Sequence, residues 1–128
     1  MGLFARIGWS DGQIEPWDFT DVDRTFSAGL SIAGKRWGRP SDIIGIAGVV
    51  NAISDVHEAF LNAGGLGILV GDGKLPHPSS EKIFETYYSY ALTSSTKLTA
   101  DYQFIADPAY NTDRGPVSLF ALRAHTQF

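Results

Sequence analysis

The chain has no cysteine and one methionine. That excludes a disulfide framework, thiolate metal ligands and a cysteine nucleophile. It also has no apolar run long enough to make a transmembrane helix. Charge is scarce: Asp, Glu, Lys and Arg make up 19% of the chain, against about 25% in ordinary soluble domains. The formal net charge of −4 gives no basic footprint for nucleic acid. The opening residues, MGLFARIGWSDG, show no basic region ahead of a long apolar stretch and no small-residue cleavage site, so no signal peptide is expected within this chain. Arg6 stands where an N-myristoylation site needs Ser or Thr. Taken alone, this segment predicts a chain that either stays in the cytoplasm or has had its N-terminus processed or truncated.

What is present is glycine (14 residues), aromatics (12%) and alternation. With 128 residues the chain is long enough for one domain. Side chains of a strand point alternately to opposite faces, and six segments show that period. In residues 2–10, Leu3, Ala5, Ile7 and Trp9 oppose Phe4, Arg6, Gly8 and Ser10. Residues 25–35 set Phe26, Ala28, Leu30 and Ile32 against Thr25, Ser27, Gly29 and Ser31. Residues 43–53 are apolar on both faces, with Ile44, Ile46, Gly48, Val50 and Ala52 on one and Asn51 on the other. Residues 82–92 place Phe84, Thr86, Tyr88, Tyr90 and Leu92 opposite Ile83, Glu85, Tyr87 and Ser89. Residues 97–106 set Leu98, Ala100, Tyr102 and Phe104 against Thr99, Asp101 and Gln103. In residues 117–128, Ser118, Phe120, Leu122, Ala124, Thr126 and Phe128 oppose Leu119, Ala121, Arg123, His125 and Gln127.

Between these segments the texture changes. SDGQIEPWDFTDVD reads as an acidic loop and WGRPSD, residues 37–42, as a short turn. Residues 54–65 read as a short helix, with Ser54 or Asp55 as N-cap and Gly64 and Gly65 at its end. Val56, Ala59, Phe60 and Ala63 would share one of its faces. Residues 54–80 form one long excursion, in which residues 66–70 are a candidate buried extended piece. The expected fold is all-β and antiparallel with one short helix in a long loop. Most segments are about nine to eleven residues long, the length that crosses a bilayer when tilted. Long and short connections also trade places, as they do between the two sides of a membrane barrel.

Alternation alone fits a soluble sheet-based binding domain as well as a membrane barrel. Three features favour the barrel. Aromatics (Trp37, Tyr87, Tyr88, Tyr90, Phe104, Phe128) gather near strand ends, as in interfacial girdles. Charge collects on one face, with Arg6, Glu85, Asp101, Arg123 and His125 opposite a face that lacks it through several spans. The last segment alternates to its final residue.

Three stretches carry a resemblance: residues 24–42 (RTFSAGLSIAGKRWGRPSD), residues 62–76 (NAGGLGILVGDGKLP) and residues 81–128, with DYQFIADPAYNTDRGPV the most distinctive part. Together they resemble the C-terminal part of carbohydrate-selective porins, the OprB family. The resemblance implies an outer-membrane barrel of about sixteen strands, of which this chain would supply the last six, passing sugars by passive diffusion without cofactor or turnover. It implies small sugars, outer-membrane lipid and the outer-membrane assembly machinery as partners, in a Gram-negative bacterium. Phe128 matches the terminal aromatic of the assembly signal. Since family members are longer, three readings stand side by side: a fragment of a longer porin, one piece of a split barrel completed by another chain, or a truncated product without function.

On that reading the pore-lining candidates are Arg6, Glu85, Tyr87, Asp101, Gln103, Arg123, His125 and Gln127, with Asn51 a weaker one. Sugar hydroxyls need donors and acceptors, which Arg, Asp, Glu and Gln supply, and Tyr87 offers a ring face. The alternative for each is that it merely solvates a wet lumen. No catalytic or metal site is expected. His57-Glu58 begins like HExxH, but position 61 is Leu. The glycines at 64, 65, 67, 71 and 73 match neither GxGxxG nor a phosphate loop, and no nucleophile stands beside a plausible base.

Overall fold

A computed structural model describes residues 1–14, 21–67 and 73–128. Six strands form one open antiparallel sheet in chain order: β1 (Gly2–Trp9), β2 (Arg24–Gly34), β3 (Arg39–Ala52), β4 (Glu81–Ala91), β5 (Thr96–Ala106) and β6 (Val117–Thr126). Each pairs with its sequence neighbour. Both edges of the sheet, β1 and β6, are left open. The connections at residues 10–23, 53–80 and 107–116 all lie at one end, and those at 35–38 and 92–95 at the other. Among the described residues no helix is long and apolar enough to cross a membrane.

The turn between β2 and β3 differs from the sequence reading, which ends it at Asp42. A single 3-10 turn, Lys35–Trp37, is closed by Gly38 at φ 76°, a left-handed conformation open to glycine at little cost. Pairing resumes at once, Gly34 against Arg39, across a register shift after Ala33. The surplus residues bulge, and Asp42 turns back to bind three partners. Arg39 Nε donates to Asp42 Oδ2, Tyr88 Oη donates to the same oxygen at 2.6 Å, and Ala91 N donates to Oδ1 at 2.9 Å. The Arg39 guanidinium also lies 4.0 Å from the centre of the Tyr90 ring, and Trp37 Nε1 donates to Tyr88 Oη. A bulge places one side chain where the ladder would otherwise put another. Here it ties the short-turn rim into one polar-aromatic cluster.

The helix α1 (Asp55–Asn62) forms as expected. Ser54 Oγ accepts from His57 N at its start. At its end Gly64, at φ 99°, donates to Leu61 O, and Gly65 donates to Phe60 O. Those two bonds satisfy orphan carbonyls of the last turn. The buried face, however, is not the expected one. Leu61 is fully buried, while Val56 and Phe60 are about half exposed. Leu61 packs with Leu75 and Tyr110, flanked by Val22 and Ile53, so helix orientation follows these distant loop residues rather than the helix's own pattern. The candidate extended piece at 66–70 lies mostly outside the described residues, as does 15–20 of the acidic loop.

Segment 73–80 and the 107–116 loop clasp each other. Pro78 bridges Asn111, Ser79 N donates to Tyr110 O, and His77 Nδ1 lies 3.0 Å from Asp113 Oδ2. Lys82 Nζ and Ser79 Oγ both donate to Asp107 Oδ2, at 3.1 and 3.0 Å. Asp107, Ala109 and Tyr110 adopt positive φ, costly for non-glycine residues. Glu81 Oε2 accepting from Ala109 N, at 3.0 Å, helps hold this turn. Burial raises the Tyr110 hydroxyl well above its usual pKa.

The Lys82 hydrogen bond, then that of Ser79, lowers the Asp107 carboxyl below the usual carboxylate value. A depressed pKa in the folded state means stabilisation that is present above the unfolded value and lost as pH falls through the folded one. The clasp should therefore hold at neutral pH and loosen only in acid, below the ordinary carboxylate range. Amide shifts of Ser79 and Tyr110 followed from neutral pH into acid check this, and Asp107→Asn should flatten the transition.

Candidate functional site: one polar face of the sheet

Paired residues in an antiparallel sheet share a face, so the register sorts every strand residue. One face reads, from the long-loop end, as a series of rows. The first is Thr25, Asn51 and Glu81, joined by hydrogen bonds: Thr25 Oγ1 to Asn51 Oδ1 at 2.8 Å, and Asn51 Nδ2 to Glu81 Oε1 at 3.2 Å. The second is Arg6, Ser27, Val49, Ile83, Ile105 and Val117. The third holds Phe4, Gly29, Ala47, Glu85, Gln103 and Leu119, and the fourth Gly2, Ser31, Gly45, Tyr87, Asp101 and Ala121. Below these lie Ile43, Ser89, Thr99 and Arg123, then Ala91, Lys97 and His125.

All candidate residues on the strands thus fall on this face, which the structure divides unequally. The middle of the β1–β3 half is mostly small, with Gly2, Ser27, Gly29, Ser31, Gly45 and Ala47 beside Arg6 and Val49, and two aromatic rings are laid over its glycines. A Cβ on Gly45 would come 2.1 Å from the Tyr87 ring, and one on Gly29 would come 2.5 Å from the Phe4 ring. The β4–β6 half carries the long polar side chains. They line a groove of about 750 Å³ that brings together Glu85, Tyr87, Asp101, Gln103, Arg123 and His125. Gln103 Nε2 donates to Glu85 Oε2 at 3.0 Å.

Two candidates lie apart from the groove. Arg6 sits on the first strand, about 14 Å from β4, the nearest strand bearing the groove's polar side chains, across strands spaced about 4.8 Å apart. Gln127 lies past β6, its backbone N donating to Ser95 O at 2.9 Å. Asn51 is engaged in the rim row rather than the groove. Phe128, also past β6, is fully exposed. Lys97 and Thr99 line the groove too; parity with Asp101 and Gln103 was the signal that could have added Lys97 to the candidates. The apolar row of Val49, Ile83, Ile105 and Val117 was not anticipated.

The opposite face is apolar through its middle. The row Leu3, Leu30, Ile46, Thr86, Tyr102 and Phe120 contains no charge. Its polar atoms are internally satisfied: Thr86 Oγ1 donates to Gly45 O, and Tyr102 Oη bonds Ser118 Oγ. Charge on this face is confined to strand ends, at Arg24, Arg39, Asp42 and Lys82. Aromatics band both ends, with Trp9, Phe26, Phe84 and Phe104 towards the long loops and Trp37, Tyr88 and Tyr90 towards the short turns. Tyr87, grouped with that girdle on sequence, belongs to the groove face instead. Among the described residues none covers the apolar face: Leu3, Ile7 and Phe120 are each 81% exposed.

A second polar cluster sits in the loops. His57 Nδ1 lies 3.0 Å from Asp23 Oδ2, and its Nε2 lies 3.9 Å from Asp21. Asp23 also accepts from Ser54 N at 2.7 Å. Ser54, His57 and Asp23 are not a nucleophilic triad, because Ser54 Oγ faces the backbone N of His57 and not its ring. The set braces the helix start against the end of the first long loop. Among the described residues no group of three or more His, Cys, Asp or Glu is placed to hold a metal.

No curated protein and no solved structure matches the chain. The sequence profile of the carbohydrate-selective porin, OprB family, matches residues 1–128. OprB porins are channels rather than enzymes, with sugars as the solutes that pass through them, and the family suggests an outer-membrane location. An open all-β antiparallel sheet with one polar and one uncovered apolar face is what a piece of such a barrel requires, and the chain belongs to the OprB family of carbohydrate-selective porins.

Proposed function

We propose that this chain forms the C-terminal wall segment of a sugar-conducting outer-membrane pore. The apolar face meets lipid, and the face bearing Glu85, Tyr87, Asp101, Gln103, Arg123 and His125 borders water and solute. One observation carries the reading: through the middle of the sheet, every charged side chain falls on the same face. Long connections at one end and short turns at the other fit loops outside the cell and turns in the periplasm. Six strands cannot enclose a channel, since about eight only just fill their own interior. Both edges of the sheet also have unpaired backbone groups that lipid would not satisfy. The remaining strands therefore come from the rest of a longer polypeptide or from another chain. Passage is by diffusion, with polar wall residues exchanging hydrogen bonds with sugar hydroxyls.

The test is vectorial labelling. Single cysteines at 120, 122 and 124, and at 121, 123 and 125, are placed in membrane-embedded protein and treated with a water-soluble maleimide. The odd positions should label readily and the even ones hardly at all. Equal labelling of both sets would end the reading and favour a soluble sheet domain.

A further inference from the structure

The groove is not uniform in charge. Lys97 and His125 are direct cross-strand partners, and Arg123 stands one row away opposite Thr99. Among the described residues no carboxylate lies within ion-pairing distance of any of the three. The next rows are acidic. Asp101 stands opposite Tyr87 and Ala121, and Glu85 stands opposite Gln103. Lys97 and Arg123, cationic side chains left unpaired in a groove, are a site for an anion, and His125 adds a ring N–H donor beside them. The Arg fork matches a carboxylate or phosphate, and Lys supplies a point charge beside it. The carboxylates one and two rows on serve a different need, since they accept hydrogen bonds from hydroxyls. Successive rows lie about 7 Å apart along a strand, roughly the width of one pyranose ring.

We propose that the groove accommodates a sugar carrying an anionic group, a uronic acid or a sugar phosphate. Its anion sits at Arg123, within reach of the Lys97 and His125 row, its hydroxyls face Asp101 in the next row, and its ring lies towards Tyr87. This rests on reading the face as the solute-bearing wall and goes beyond it in naming the solute class. A neutral hexose would leave the three basic groups without a counterpart.

The chain, isotope-labelled and reconstituted in detergent micelles with the strands that complete its wall, is titrated separately with glucuronate, glucose 6-phosphate, glucose and inorganic phosphate. The amides of Thr99, Arg123 and His125 should respond to at least one of the two anionic sugars at concentrations at least about tenfold below those needed for glucose. Which of the two acts sooner tells a carboxylate site from a phosphate site. Inorganic phosphate should move the basic end alone and leave Glu85 and Tyr87 still. Lys97→Met with Arg123→Gln, both on an open face, should bring the ratio to glucose down to about one while the amide pattern of the sheet persists. The proposal is overturned if glucose saturates the same amides at the same concentrations. It is likewise overturned if inorganic phosphate reproduces the whole response, or if the preference survives the double substitution. Failure of the wall reading would show instead in the cysteine-labelling pattern, which does not depend on the solute.

Discussion

Ile46→Arg should destabilise the membrane-inserted sheet by about 2–4 kcal/mol, while Ala121→Arg should change it by no more than about 0.5 kcal/mol. Urea unfolding of vesicle-inserted protein measures both. Ile46 stands in the uncharged middle row of the apolar face, between Leu30 and Thr86. A guanidinium there is held in hydrocarbon beyond easy reach of either interface. Ala121 stands in the row of Tyr87 and Asp101, where the same side chain enters the groove and stays hydrated beside a carboxylate. The two substitutions add the same charge, so only the solvent on each face separates them. Equal costs would mean that both faces meet water, and the pore-wall reading would fail.

Leu61→Ala should cost about 2–5 kcal/mol, and the loss should fall on the loop cap rather than on the sheet. Among the described residues Leu61, Leu75 and Tyr110 are the buried hydrophobics, and Leu61 has no remaining exposure. Removing its branched end leaves a cavity in the core that the long loops share. The backbone hydrogen bonds of β2 to β5 do not depend on that core, so the cap should open as a local unit. Amide exchange at Leu61, Gly65 and Tyr110 should accelerate sharply while exchange at Thr86 hardly changes. Uniform acceleration at all four sites would instead mean that cap and sheet unfold together.

Much of this architecture was legible in the chain. All six strands were, to within a few residues, because period-two alternation is a local signal. So were the caps of α1, since Ser54 and Gly64 act through bonds to backbone a few residues away. The helix face was misjudged because Leu61 is chosen by Leu75 and Tyr110, which arrive from other loops. The start of β3 was misplaced because Pro40 and Asp42 look like turn residues. Their setting in a bulge depends on Tyr88 and Ala91 of the neighbouring strand.

By itself the sequence determined which side chains share a face within each strand, and hence that one surface is polar and the other greasy. That follows from backbone geometry, where each Cβ points opposite to the last. Only the tertiary structure decided which of those residues become neighbours. It put Lys97 beside His125, left Arg6 far from the groove, joined Asn51 to the rim and laid Tyr87 over Gly45. Neighbours across a sheet are fixed by the register between strands, a sum over many distant pairings that no single segment contains.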